Sequence, residues 1–324
     1  MTRLTISATL LSLVLAACAG GSDAPVLEKA QTTAQEPHDP ASGPTAHLIW
    51  GANREDGSLW TLWVERERDG AVRVVDVMEP VVAVAGELWM LSIERSPVRL
   101  TVDCGLEWGD EPMGTETGTV TALRLQPVTG ERAPIELLAP GSAHDMADHE
   151  ESIHLLGSVG RYLFAERSVY GFACGAHGNV TNEGYIFDLE TGRPVELVDG
   201  DSVNRRFADR ALAALRARDD MVLFSETASF TRTRPDYAAT GLRMMHQLTA
   251  DTCYACSDGN WSSYTVSTEI ADDRLPAQMQ PKNSDVGPLV RELATSHSWF
   301  EIRGIQSVDP ALAEDFEALT ITGC

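Results

Sequence analysis

Apolar and polar residues alternate over much of the chain between about residue 46 and residue 200. In residues 98–104, for example, single polar residues separate Val98, Leu100, Val102 and Cys104. A period of two puts one face of a strand in the core and the other toward solvent. Runs of this kind, or short apolar runs bounded by turn residues, predict further strands at residues 59–64, 71–78, 81–85, 88–93, 119–126, 134–138, 162–165, 168–174, 185–189 and 195–198.

Two of these blocks share one order of features. Residues 80–140 contain Gly-Glu-Leu-Trp, then Cys104, then Thr-Gly before an apolar strand; residues 153–200 contain Gly-Arg-Tyr-Leu, then Cys174, then Thr-Gly before a similar strand. Repeated strand-hairpin units indicate a duplicated sheet module, or blades of a propeller. Two copies are too few for a whole propeller. The matching positions of the two cysteines make Cys104–Cys174 the preferred disulfide.

After Gly200 the pattern becomes helical. Phe207, Leu212 and Leu215 share one face of a helix over residues 201–218, which Asp201 and Ser202 can cap. The remaining predictions are strands at 221–224, 261–270 and 299–302, helices beginning at Asp285 and Asp309, and no clear element over 225–247, where arginines interrupt the pattern. We therefore predict a strand-dominated α+β fold, with antiparallel sheets built from the duplicated module and followed by amphipathic helices. A propeller-like all-β fold is the alternative.

The N-terminus has the pattern of an export signal. Arg3 precedes a short apolar run that ends in Leu15-Ala16-Ala17-Cys18, and this run is too short to span a bilayer. The last four residues resemble the lipobox of bacterial lipoproteins. The resemblance implies removal of residues 1–17 and lipidation of Cys18, by which the chain would be anchored in a membrane. An ordinary secretory signal is the alternative. In a Gram-negative host, Ala19 implies the outer membrane, facing the periplasm or the exterior.

Composition divides the rest of the chain. Residues 18–45 are rich in small and polar residues and predict a lipidated flexible tether. Residues 46–324 are long enough for one large envelope domain. The chain has a formal net charge of −23 at pH 7, which argues against nucleic acid and favours cationic partners.

Cysteine usage agrees with an oxidising compartment. Besides Cys18 there are Cys104, Cys174, Cys253, Cys256 and Cys324, so two bridges would leave one thiol free. The pair Cys253 and Cys256 lies ahead of a turn and predicts a short structural bridge; a redox pair is the alternative. A second cysteine pair at zinc-ligand spacing is absent from the sequence.

One local pattern suggests a family. Gly175-Ala-His-Gly-Asn179 is followed by the strand at 185–189, by Thr-Gly-Arg at 191–193 and by the helix at 201–218. This resembles the domain of unknown function in the extracellular part of lysozyme-sensing anti-sigma factors and of some peptidoglycan deacetylases. The resemblance covers about 45 of the 324 residues. It implies an α+β fold on the envelope face and binding to a wall component or a wall-active protein.

Candidate chemistry is limited to two regions. A turn-rich loop holds His177, Asn179 and Asn182, which we take as the candidate binding loop; the His177 ring would hold the loop by hydrogen bonds or, alternatively, act as a base. The densest set of potential metal ligands is His144, His149 and His154 with nearby acidic residues. Its spacing misses the zinc-protease motif by one residue. We predict an exposed acidic loop there, with weak divalent-cation binding as the alternative.

These observations favour a lipid-anchored cell-envelope protein with a non-catalytic binding, sensing or assembly role. The partner would be peptidoglycan or an envelope protein, and we predict no catalytic residues and no cofactor. One alternative is an envelope hydrolase that uses His177 or the His144–His154 cluster. Another is a purely structural lipoprotein. The aromatic residues Trp60, Trp63, Trp89, Tyr162 and Phe164 lie at strand positions and predict core packing.

Overall fold

Strands account for most of the described chain, as the alternating pattern predicts. The computed structural model describes residues 45–53, 58–66, 72–100, 102, 107–108, 111–112, 117–129, 132–143, 146–174, 178–218, 223, 225–238, 241–252, 265–280 and 300–322. The strands are β1 (Thr45–Asn53), β2 (Leu59–Arg66), β3 (Val72–Val77), β4 (Val81–Val84), β5 (Glu87–Arg99), β6 (Glu107–Trp108), β7 (Glu111–Pro112), β8 (Thr117–Pro127), β9 (Ile135–Leu138), β10 (Asp148–Val159), β11 (Tyr162–Phe172), β12 (Asn179–Asp188), β13 (Arg193–Pro194), β14 (Ser229–Ala238), β15 (Gly241–Asp251), β16 (Thr265–Asp272) and β17 (Phe300–Val308). The helices are α1 (Gly200–Arg216) and α2 (Ala313–Thr322), with single 3₁₀ turns at Ala277–Met279 and Pro310–Leu312.

The duplicated module is present as two antiparallel meanders with the same connectivity. In the first, β4 pairs with β5, β5 with β8 and β8 with β9; in the second, β10 pairs with β11, β11 with β12 and β12 with β13. The first hairpin of each copy turns at a glycine with positive φ, Gly86 (80°) and Gly160 (54°). Glycine adopts this conformation without a steric penalty. The repeated sequence features thus correspond to a repeated topology.

Strand β10 joins the two modules to a third meander formed by β17, β1, β2 and β3. Its first half pairs in parallel with β8 at Glu150–Thr119, and its second half pairs in parallel with β17 at Ser158–Gly304. The result is one 12-stranded sheet. Over the described ranges the strands form neither a closed barrel nor a propeller, so the strand-dominated α+β prediction is confirmed and the propeller-like alternative is not.

A second sheet, β14-β15-β16, carries helix α1 on one face. Five residues of the helix are buried (Val203, Phe207, Ala211, Leu212 and Leu215) and pack on apolar residues of this sheet. The predicted helix is confirmed, but its N-cap is Asp199, whose side chain accepts from the Asp201 N–H at 3.0 Å. Tyr237 of β14 links the sheets by donating to the Ser158 carbonyl of β10 at 2.8 Å.

The predicted aromatic core is confirmed. Trp63, Trp89 and Phe164 have at most 1% of their surface exposed, Tyr162 is buried and Trp60 is partly buried. The last helix is also as predicted: Asp309 caps the turn that begins at Pro310, and the buried Phe316 lies 5.7 Å from the Trp63 ring. The helix predicted from Asp285 lies outside the described residues.

The predicted and observed elements differ mainly at strands rich in polar residues. The region around His149 and His154 is not an exposed loop, because residues from Asp148 onward form β10 in the large sheet. Residues 225–247 contain all of β14 and more than half of β15, although no element was predicted there. Conversely, residues 195–198 are not a strand, and β5 ends at Arg99, so the described residues Leu100 and Val102 lie outside it.

Candidate functional site in the cleft between β12 and β14

A cleft of about 360 Å³ lies where β12 of the large sheet passes β14 of the second sheet. Its volume is in the range of small-ligand sites, about 300–1,000 Å³. Residues 184–186 of β12, residues 194–198 after the β12–β13 turn and residues 230–233 of β14 line it. The lining combines apolar side chains such as Phe230 with the polar groups of residues such as Arg232, so it can hold a ligand with both kinds of surface.

The turn that precedes the cleft is tightly held. Gly192 has a φ of 64° and its N–H donates to the Asp188 carbonyl at 2.8 Å, while the Asp188 carboxylate accepts from the Glu190 N–H at 3.0 Å. Beyond the turn, the last backbone hydrogen bond to the outer edge of β12 runs from the Val195 N–H to the Ile186 carbonyl at 2.7 Å. Within the described chain, the backbone of residues 196–198 has no hydrogen bond. The cleft opens where these residues leave the sheet.

Gly184 lets β14 approach β12 closely. A Cβ atom at this position would lie 2.5 Å from the Cβ of Arg232 and 3.3 Å from the Thr231 carbonyl oxygen. The register of β14 against β15 shifts between Phe230 and Arg232, so β14 has a bulge at the cleft. Because bulges re-aim side chains and are common beside functional sites, this one helps to define the wall.

Arg232 is held by an ion pair below the cleft. Its Nη1 lies 2.5 Å from Oε2 of Glu166 on β11, and its Nε donates to the Gln247 side chain. Burial raises the pKa of Glu166, and the neighbouring Arg232 partly offsets that increase. The guanidinium is therefore fixed in place and its charge is largely neutralised by its partner.

A buried histidine supports the β14 wall from the other side. His246 of β15 has 2% of its surface exposed, and its ring lies 5.8 Å from Phe207 of α1 and 5.9 Å from Phe230 of the cleft. Its Nε2 is 3.4 Å from Oδ2 of Asp272, which Arg206 also contacts through two bonds of 2.7 and 2.9 Å. Burial lowers the pKa of His246, against the effect of the Asp272 carboxylate. The imidazole is thus held neutral between the helix and the cleft.

Two residues of the candidate binding loop lie in a strand. Asn179 and Asn182 belong to β12 and pair with Gly171 and Ser168 of β11, so the loop prediction is wrong for them. The long β11 supplies ladder partners for residues whose own pattern is polar. Asn182 lies two residues before the cleft-lining Gly184. His177 lies outside the described residues.

Strand β10 does not bring His149 and His154 together into one site. His149 is 3% exposed and neither ring nitrogen has a hydrogen-bond partner, whereas His154 is exposed and lies 3.2 Å from the Ser152 hydroxyl. Because the two are an odd number of positions apart in β10, their side chains lie on opposite faces of the sheet. His144 lies outside the described residues. Among the side chains that are described, no three His, Cys, Asp or Glu residues lie close enough to hold a metal ion.

The cysteine predictions fall largely outside the described chain. Cys174 follows β11 with a φ of 56°, but Cys18, Cys104, Cys253, Cys256 and Cys324 lie outside the described residues. The Cys104–Cys174 bridge therefore stays a prediction.

Sequence reasoning did not find the groups that build the cleft. Arg232, Gln247 and Glu166 come from the three strands β14, β15 and β11, and Arg206, His246 and Asp272 come from helix α1 and the strands β15 and β16. No spacing motif connects such residues. The one available signal was three arginines in a stretch with otherwise strand-forming residues, which implies acidic partners elsewhere in the chain.

Comparison with known proteins gives no relative to argue from. No protein-family model, no curated protein and no solved structure matches this chain. In the part of the chain that is described, neither helix is long and apolar enough to cross a membrane.

Proposed function

We propose that this chain is a lipid-anchored cell-envelope protein with a non-catalytic binding role, and that it binds its ligand at the cleft between β12 and β14. The observation that carries the proposal is the preformed cleft of about 360 Å³. Its walls are fixed by the Asp188 turn, by the Arg232–Glu166 ion pair and by packing of Phe230 on His246. A site that is rigid before binding loses little entropy when a ligand arrives.

The N-terminal sequence supports the location. Leu15-Ala16-Ala17-Cys18 matches the lipobox pattern, and the small, polar residues 19–45 suit a tether between the lipid and the domain. The resemblance around residues 175–193 supports a wall component or a wall-active protein as the ligand. The acidic chain, with a net charge of −23, favours partners with positive charge.

The binding role can be tested with the chain from residue 18 onward carrying Cys18→Ser, which removes the lipid. We expect it to bind purified peptidoglycan or lysozyme in equilibrium sedimentation or calorimetry. Leu197→Arg places a long cation in the cleft wall and should weaken binding at least ten-fold. Met78→Arg is the matched control, because it adds the same side chain at a residue that is 64% exposed and does not line the cleft. Absence of binding to both probes would reject the proposed role.

The anchor is tested separately. In a bacterial host, the unaltered protein should fractionate with membranes and incorporate labelled fatty acid, whereas Cys18→Ser should do neither. Labelling that persists in the Cys18→Ser variant would contradict lipidation at this residue.

A further inference from the structure

The outer edge of β12 is unpaired next to the cleft. The Ile186 carbonyl accepts from Val195, on the side away from β11, and the Leu189 N–H donates to Arg161 on the β11 side. In an antiparallel ladder the direction of the backbone groups alternates from residue to residue. The N–H and C=O groups of Val180, Asn182 and Gly184 therefore also point away from β11. In the described structure none of these groups has a hydrogen-bond partner.

This edge also lacks two features that commonly protect an edge strand, a proline and a lysine. Residues 179–184 read Asn-Val-Thr-Asn-Glu-Gly, with no proline and no lysine. Val180 is 39% exposed and Gly184 is exposed as well. By contrast, β14, which is also at the edge of its sheet, contains Pro235. Exposed edges without such protection are templates for another strand.

We propose that the β12 edge binds an extended, cationic segment of a partner protein as an added β-strand. The segment would run along Val180–Gly184, on the line that β13 occupies opposite Phe187 and Asp188, and one of its side chains would enter the cleft beside Ile186. Main-chain hydrogen bonds supply affinity in this mode of recognition, and pockets for side chains supply specificity. The inference deepens the proposed function and rests on it, since it uses the same cleft.

Charge determines the kind of segment. Glu183 lies in the middle of the free edge, with the Tyr185 hydroxyl as its partner at 2.5 Å, and the exposed Glu196 lies in the cleft wall. The cation of the cleft, Arg232, is already paired with Glu166. An acidic edge on a chain of net charge −23 attracts a basic segment. A lysine or arginine opposite Glu183 would form a favourable cross-strand pair.

The test uses a synthetic seven-residue peptide of alternating valine and lysine and the Cys18→Ser chain from residue 18 onward. We expect saturable binding by fluorescence anisotropy, and slower hydrogen exchange at the amides of Val180, Asn182 and Gly184. Asn182→Pro removes an outward N–H without costing a bond to β11, and it should weaken binding at least ten-fold. Asn182→Ala is the matched control, because it loses the side chain but keeps the N–H, and its affinity should stay within about two-fold of the parent.

A second measurement avoids any change to the protein. The same peptide with its alternate backbone amides N-methylated keeps its charge but loses donors, and it should bind the unaltered domain at least ten-fold more weakly. Equal affinity of both peptides, or of Asn182→Pro and Asn182→Ala, would overturn the added-strand proposal, as would no binding at all. A dimer abolished by Asn182→Pro, with no peptide binding, would assign the edge to a second copy of this chain and also overturn it. Each of these results leaves binding to peptidoglycan or lysozyme to be decided by its own test.

Discussion

Glu151 is completely buried in β10, where a carboxylate needs a partner of opposite charge. Its Oε1 lies 2.5 Å from Nε of Arg167 on β11, and its Oε2 accepts from the Gly141 N–H at 2.9 Å. The ion pair and the amide together replace water around the carboxylate. Breaking such a pair by removing one member is costly because an uncompensated charge stays inside the protein.

Arg167→Leu should therefore lower the free energy of unfolding by about 3–5 kcal/mol. Urea denaturation followed by far-UV circular dichroism measures this change. The double variant Glu151→Gln with Arg167→Leu removes both charges and should be clearly more stable than Arg167→Leu alone. A double variant as unstable as the single one would show that the loss comes from packing of the arginine stem.

His246 should make stability depend on pH. Burial lowers the pKa of the folded-state imidazole below its ordinary value of 6.5. A lowered pKa means that the folded state prefers the neutral ring, so this stabilisation is complete above pH 6.5 and is lost as the pH falls through the folded-state pKa. The unfolding free energy of the parent should fall between pH 7.5 and pH 5.5, and that of His246→Gln should fall less. If the unfolding free energies of the two proteins depend on pH in the same way, His246 does not cause the pH dependence.

At the scale of single elements, the N-terminus of α1 depends on its cap. Asp199 accepts from the Asp201 N–H at 3.0 Å, which satisfies one of the free amides of the first turn. The helix forms one wall of the core cluster that contains Leu248 and Ile270 of the second sheet. Weakening its first turn therefore loosens the packing that supports the cleft through Phe230.

Asp199→Ala should cost about 0.5–2 kcal/mol of unfolding free energy, the usual cost of losing a cap. Thermal unfolding of this variant should be compared with that of Asp201→Ala. Asp201→Ala removes a charge of the same sign from the same turn but no capping bond, so it should cost less. If the two variants are equally destabilised, the effect is due to the charge near the helix terminus and not to the cap.

The sequence pattern predicted those elements whose buried positions carry apolar residues. Strands such as β2, β5 and β8, and helices α1 and α2, have apolar residues at the period of the element, and each was found. Strands β10 and β14 were missed because their buried or half-buried positions carry Glu151, Arg232 and Arg234. Such residues look exposed until their partners, Arg167, Glu166 and Glu269, are brought close by the fold. The cleft depends on one of these pairs, Arg232–Glu166, and this is why it was not predicted.

At the scale of the whole molecule, three antiparallel meanders meet at β10. Within the two modules and within β1–β3, paired strands follow closely in sequence, so this pairing could be predicted from turns and alternation. The pairings of β17 with β1 and with β10 join strands distant in sequence, and no turn specifies them or the parallel contact of β10 with β8. The order of strands within a module was therefore predictable, whereas the junction between modules was not.

The oxidation state of the chain is also testable as a whole. Five cysteines are present besides Cys18, and an oxidising compartment favours two bridges. Alkylation of the exported protein followed by intact-mass measurement should label one thiol without reductant and all five after reduction. Labelling of five thiols without reductant would show that the cysteines are not paired.

The pairing of β1 with β17 has a consequence for the order of folding. These strands come from opposite ends of the described chain and are hydrogen-bonded from Ala46–Val308 to Asn53–Phe300. Contacts so distant in sequence form slowly, because the long intervening chain must first be closed into a loop. In a chain that crosses a membrane from its N-terminus, β1 and its neighbour β2 would emerge first, whereas the other neighbour of β1, β17, would emerge last. In such a chain the large sheet would be completed only after translocation had ended.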